Sequence, residues 1–144
     1  MPGPFTVDAS VFLNAFNLTE QGHDISLDFL AYLQAEAIPI IAPTLLLPEV
    51  AGAISCGHGD ADLARQFAET LGQLPHLVLV SLDPALAHTA INMAARHRLR
   101  GSDAVYAAVA QRFNSPLVTL DREQGERVAA VLPVKSPEGI LDTI

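Results

Sequence analysis

The sequence holds one cysteine, one lysine and no tryptophan, and charged residues make up 17% of it. With Cys56 alone, no intramolecular disulfide can close and no cysteine-rich zinc site can assemble. There is no uncharged apolar run long enough for a membrane helix. Met1-Pro2-Gly3-Pro4-Phe5 lacks the basic stretch and following apolar run of about 7–15 residues that mark a secretory signal, so a cytoplasmic location is the expectation. Positive charge is scarce as well. A net charge of −8 excludes broad electrostatic attraction to nucleic acid, which normally rests on a basic patch that displaces counterions. No internal repeat, linker or low-complexity tract breaks the chain. What remains is 144 residues with 50% apolar side chains, the size and composition of one globular domain, residues 1–144.

Apolar periodicity organises that domain. Phe5-Thr6-Val7 is a β-prone run ending at Asp8, and Val11, Phe12, Ala15 and Phe16 then follow helical spacing. Asp24 is placed to cap a second helix with Ile25, Phe29, Tyr32 and Leu33 on one stripe, followed by a strand at Ile38-Pro39-Ile40-Ile41. Thr44 is placed to cap a helix through Glu49, Val50 and Ile54 that stops at Gly57 and Gly59. Further helices fit Asp60 to Leu74, Asp83-Pro84 to Leu99 and Ser102 to Phe113, with Ser102 as cap. Strands fit Leu77–Val80, Pro116–Leu120 and Pro133-Val134, and Arg122 to Ala130 continues as helix. Five strands alternating with helices predict an α/β domain, a mainly parallel sheet flanked by helices, because parallel neighbours need crossover connections.

In such sheets ligand sites lie beyond the carboxyl ends of the strands, where Asp8 and Asp121 both fall. Asp103 sits in the first turn of its helix, and Glu49 follows Leu45-Leu46-Leu47-Pro48, a place where a mere surface acid is less expected. Taken singly, Asp103 has an ordinary role beside a helix dipole and Asp121 as a cap. Together the four need an offsetting cation, since two carboxylates about 5 Å apart repel by roughly 3 kcal/mol at an effective dielectric near 20. Mg²⁺ or Mn²⁺ suits oxygen donors, polarises a phosphoryl group and lowers the pKa of an attacking water, so phosphodiester hydrolysis is the expected chemistry. Setting the four acids aside still leaves a charge of −4. Engagement of nucleic acid then depends on local arginines or a partner.

Four fragments occur in order: Val7-Asp8-Ala9-Ser10, Pro48-Glu49-Val50, Gly101-Ser102-Asp103-Ala104 and Val118-Thr119-Leu120-Asp121-Arg122. In these the chain resembles the PIN-domain ribonucleases, and within them the VapC-like toxins of toxin-antitoxin pairs, over nearly its whole length. The resemblance implies a single PIN-like domain in which Asp8, Glu49, Asp103 and Asp121 hold Mg²⁺ or Mn²⁺. Ser10 and Thr119 then stand at supporting hydroxyl positions, where capping and turn hydrogen bonds are the ordinary alternative. It also implies endonucleolytic cleavage of RNA, a homodimer, and a small antitoxin whose tail covers the site, while the lack of a long uncharged apolar run gives the expectation of no membrane partner. A PIN ribonuclease acting in RNA processing without an antitoxin, and a PIN-like module that binds RNA or protein without catalysis, are the alternatives.

Arg96, Arg98 and Arg100 form the one dense basic segment, just ahead of Asp103, and are candidates for RNA phosphate contacts. Their ordinary alternative is favourable placement of cations at a helix C-terminus. Cys56-Gly57-His58-Gly59-Asp60 reads as a plain interhelical loop and not as a zinc site, and His23, His76, His88 and His97 read as surface or capping residues. Ser10 has no His and Asp pattern for a triad. A receiver-like domain would need paired acids where Ala9-Ser10 follow Asp8, and no Gly-x-x-x-x-Gly-Lys phosphate loop is present.

Overall fold

The computed structural model describes residues 3–144. Its sheet is built from β1 (Phe5–Val7), β2 (Ile40–Pro43), β3 (Leu77–Val80), β4 (Leu117–Val118) and β5 (Val134–Lys135). All four pairings are parallel, in the order β3-β2-β1-β4-β5. The helices are α1 (Ala9–Phe16), α2 (His23–Ala35), α3 (Leu46–His58), α4 (Ala61–Gly72), α5 (Pro84–His97), α6 (Gly101–Arg112), α7 (Arg122–Val128) and α8 (Pro137–Leu141). This is the α/β architecture that the alternation of strands and helices predicts. Among the described residues no helix is long and apolar enough to cross a membrane.

The strand order fixes where a site can form. From β1 the chain moves outward through β2 to β3, then crosses back over β1 to add β4 and β5 on the other side. The order therefore reverses between β1 and β4, and crevices in open parallel sheets open at such a reversal, beyond the strands' carboxyl ends. Thr6 pairs with Leu117 and Val7 with Val118, and the Asp8 amide donates to the Val118 carbonyl at 3.1 Å. Asp8 and the segment Thr119 to Asp121 thus leave the sheet side by side.

The interior strands read as apolar runs because both faces are covered: Val7, Ile40, Ala42 and Val118 are fully buried. Helix α6 is buried along most of its length, from Ala104 to Ala110, and packs on β1, β2 and β4. Its run of small alanines lets the helix approach the sheet closely. At the opposite end of β1, Phe5 meets Phe29 of α2 edge to face, with centroids 6.1 Å apart. Gly125 on α7 is required by space, since a Cβ there would lie 2.9 Å from Val134 Cγ1 and 3.6 Å from Thr119 Cγ2.

Several local expectations give way to tertiary context. Helix α2 starts one residue before Asp24, behind Gly22 in the left-handed conformation, and Asp24 stands in its first turn. Ile25 is exposed, and the buried face is His23, Ser26, Phe29 and Leu33. His23 is therefore no surface residue: its Nδ1 lies 3.0 Å from the Asn14 carbonyl, while Asn14 also accepts from the Ser26 hydroxyl at 2.6 Å. A polar network ties α1 to α2 where an apolar stripe is predicted. Thr44 and Ser102 do not cap; α3 and α6 begin behind Leu45 and Arg100 with no side-chain cap. Strand β2 lies two residues later than expected, and Cys56-Gly57-His58 is the last turn of α3, leaving Gly59 and Asp60 as the link to α4. Asp60, Asp83 and Asp121 do cap α4, α5 and α7.

Candidate active site

Each of the four acids sits where a strand has just ended or a helix has just begun. Asp8 follows β1 and caps α1, its Oδ1 accepting from the Ser10 amide at 3.0 Å and from the Ser10 hydroxyl. Asp121 follows β4 and caps α7, its Oδ1 accepting from the Gln124 amide at 3.2 Å. Glu49 and Asp103 occupy the first turns of α3 and α6. Four helix N-termini thus carry the acids, and their partial positive charges temper the mutual repulsion of the carboxylates.

The hydroxyl residues join these parts. Ser10 Oγ donates to Asp8 and accepts the Leu120 amide at 3.1 Å, bridging the β1 and β4 exits. Thr119 Oγ1 accepts the Asp121 amide at 3.0 Å, and its side chain stands close enough to Asp8 to favour that carboxyl's charged form. These are turn and capping bonds, and they also hold Asp8 and Asp121 in fixed relation.

Cross-connections reach the other two acids. Arg100 lies between Asp103 and Asp121, with Nε 3.0 Å from Asp103 Oδ2 and Nη2 3.4 Å from Asp121 Oδ2. The Tyr106 hydroxyl donates to Glu49 Oε1 at 2.7 Å, and the phenol feels the charges of Glu49, Asp8 and Asp103 together. Burial first, then that hydrogen bond and those charges, push its ionisation well above the usual tyrosine range, so the hydroxyl keeps its proton. Tyr106 reads from the sequence as a core aromatic. The available signal was its position three residues after Asp103, on the same side of the helix.

Asp8 is the strained member. It is 9% exposed, and burial pushes its carboxyl up to about 6 from an ordinary 3.8, against the lowering effect of Ser10 and Thr119 and with a further push from Asp103. The folded chain therefore favours the protonated acid more than the unfolded chain does. The penalty is absent below the unfolded value, grows as pH rises between about 4 and 6, and is complete above that range, at about 3 kcal/mol. Denaturant unfolding of the metal-free chain, wild type against Asp8→Asn, should show a stability gap favouring Asn that opens above about pH 4 and levels off near pH 7.

This donor set fits a hard divalent cation. The acids supply oxygen ligands, and the buried Asp8 beside Asp103 lacks a compensating positive charge. Among the described residues no three His, Cys, Asp or Glu side chains form a ready-made metal cage. Mg²⁺ needs none, because it usually keeps several waters and takes one or two carboxylates along with substrate phosphates. Asp103 and Asp121 meanwhile share the Arg100 guanidinium, a cation already standing between two of the acids.

Of the three arginines, Arg100 touches the acids. The backbone carbonyl of Arg98, in the left-handed turn that ends α5, accepts from Arg127. Arg96 lines a separate cavity of about 320 Å³ with Thr89, Asn92, Gln111 and Val131. A further cavity of about 620 Å³ adjoins Asp121, running from Ser10 and Asp121 past Leu13 and Leu120 to Asn17 and His58. His58 Nε2 lies 2.9 Å from Asn17 Oδ1, and the ring packs edge-on against Phe16.

Fold and site together define a small α/β domain with a parallel sheet and acids at the ends of β1 and β4 and in the first turns of α3 and α6. A family model described as the PIN domain matches residues 5–130, and the chain belongs to the PIN domain family. Comparison with curated proteins by sequence gives no match. Solved structures share the fold at low identity. VapC20 of Mycobacterium tuberculosis, a sarcin-ricin loop cleaving toxin, superposes with a TM-score of 0.71 at 19% identity, over 90% of this chain and 96% of that one. PAE2754 from Pyrobaculum aerophilum gives 0.66 at 23% identity, over 99% and 97%. A toxin-antitoxin complex from Klebsiella pneumoniae gives 0.66 at 18% identity, over 92% and 97%.

Proposed function

We propose that the chain is a Mg²⁺- or Mn²⁺-dependent endoribonuclease that hydrolyses RNA phosphodiester bonds and acts as the toxin of a toxin-antitoxin pair. The observation that supports the reading is a chain of contacts beside the reversal of strand order, with the Tyr106 hydroxyl on Glu49 under the charges of Asp8 and Asp103, and Arg100 between Asp103 and Asp121. Asp8, Glu49, Asp103 and Asp121 would hold the cation. Once bound, it supplies Lewis-acid activation of the phosphoryl group and of an attacking water. Hydrolysis adds that water at phosphorus as one P–O bond breaks, leaving one product with the phosphate and the other with a hydroxyl. Ser10 and Thr119 keep Asp8 and Asp121 in register throughout.

Arg100 has a second part in this reading. Its side chain is mostly exposed, so its pairs with Asp103 and Asp121 are readily exchanged. With Asp103 and Asp121 engaged by a cation, the Arg100 guanidinium would be free to meet an RNA phosphate, with Arg98 and Arg96 extending the basic segment. Arg100→Ala should weaken RNA binding several-fold at low salt and reduce the slope of log affinity against log salt by about 1. An unchanged slope, measured by binding over a salt series, would count against the contact.

The reading includes an antitoxin protein that covers the crevice, a homodimer and a cytoplasmic location. The likeness in fold to a sarcin-ricin loop cleaving toxin and to a toxin-antitoxin complex supports the antitoxin partner. The experiment is direct: purified chain, free of any partner, is incubated with mixed-sequence RNA in Mg²⁺, in Mn²⁺ and in chelator. Internal cleavage with metal and none in chelator is expected. Saturable Mn²⁺ binding without cleavage would instead indicate a non-catalytic module.

A further inference from the structure

Glu49 reaches the crevice from α3 on a side chain with three rotatable bonds, and a free glutamate loses entropy when it is fixed. Tyr106 has no such freedom. It is 2% exposed, the largest fully buried side chain, and stands on the helix that also carries Asp103. Its hydroxyl donates to Glu49 Oε1 at 2.7 Å across 57 residues of sequence. Oε2 has no hydrogen-bond partner among the described residues.

We infer that Tyr106 is a positioning residue: its hydroxyl fixes Oε1 of Glu49 so that Oε2 is the oxygen presented to the divalent cation. The inference rests on the proposed metal-dependent function and goes further, since it divides the two oxygens of one ligand and names the group that divides them. A neutral donor suits this task. It adds no charge to compete with the metal, and a hydrogen bond to a carboxylate is among the stronger kinds. Groups that orient metal ligands typically change metal affinity or activity by about 10–100-fold when removed.

The test is Mn²⁺ binding to the full chain, followed by the resonance signal of free Mn²⁺, for wild type, Tyr106→Phe, Glu49→Gln and the double variant. Tyr106→Phe should bind Mn²⁺ about 10-fold more weakly, and its RNA cleavage should recover towards the wild-type kcat at saturating metal. In the Glu49→Gln background the same change should cost little more. Tyr106→Phe that folds and binds Mn²⁺ as the wild type does overturns the assignment, whatever its melting temperature. Equal losses in both backgrounds overturn it too.

A second measurement does not depend on the folding of Tyr106→Phe. The chain has no tryptophan and two tyrosines, so in Tyr32→Phe the near-ultraviolet tyrosine band belongs to Tyr106. Added Mg²⁺ should perturb that band with the midpoint of metal binding; a band that stays still while metal binds overturns the assignment. Wild-type chain that binds no metal at all removes the proposed function, and the inference falls with it.

Discussion

Asp8→Asn is expected to cut RNA cleavage by about a thousand-fold while making the metal-free chain more stable. The loss follows from charge. A bound metal contributes several kcal/mol of transition-state stabilisation, and 1.36 kcal/mol is one decade in rate, so a ligand that no longer carries charge costs on the order of three decades. The gain follows from burial. Asp8 is held near the end of β1 with its carboxyl pushed up to about 6, so at pH 8 the folded chain contains a charge that it would rather not bury. Asparagine keeps an oxygen for the Ser10 amide and hydroxyl without that charge. Stability by denaturant unfolding at pH 8 should rise by about 1–3 kcal/mol. An Asp8→Asn chain that is both active and no more stable would contradict the role given to the burial of this acid.

Leu46→Ala is expected to remove about 2–5 kcal/mol of stability, a large part of the roughly 5–15 kcal/mol that holds a domain of this kind together. Leu46 is fully buried in the core at the start of α3, one turn before Glu49. That helix has no side-chain cap at its N-terminus, and so depends on this contact to seat its first turn. Truncation should therefore act twice, on unfolding and on metal affinity through Glu49. Denaturant unfolding reads the first effect, and Mn²⁺ titration of the folded variant reads the second. A loss below about 1 kcal/mol would mean that α3 is seated by other contacts.

The parts of this molecule that were legible in advance share a local cause. Strand β1 ends just before Asp8 and β4 just before Thr119 because buried apolar runs end there, and a side chain at the carboxyl end of a parallel strand has few places to go. Asp83-Pro84 and Asp60 announce their helices by capping chemistry that involves three or four neighbouring residues. The parts that were not legible have distant causes. Thr44 is a good cap by composition, yet its backbone still belongs to the sheet, donating to the Val80 carbonyl, and α3 starts one residue later, behind Leu45. His23 and Asn14 are polar and buried because the His23 ring meets the Asn14 backbone carbonyl while the Asn14 amide group is satisfied by Ser26, Glu20 and Gln21, which no apolar periodicity announces.

The site divides in the same way. The positions of Asp8 and Asp121 follow from strand ends, and Glu49 from an acid set among leucines. The Arg100 bridge and the Tyr106 hydroxyl do not, because each depends on how α6 lies against α3 and the loop after β4. A tyrosine in an alanine-rich helix looks like core filling, and by volume it is. One oxygen at its tip distinguishes it from phenylalanine.

The central claim is that the gathered acids hold a divalent cation for RNA hydrolysis. Its most direct test is the cleavage of one defined RNA by chelator-stripped, partner-free chain as Mg²⁺ is added back, with Asp103→Asn alongside. Cleavage should return with a saturable dependence on Mg²⁺ in the wild type and stay at the chelated level in Asp103→Asn. Cleavage that persists undiminished in chelator, or is equal in the two chains, would contradict it.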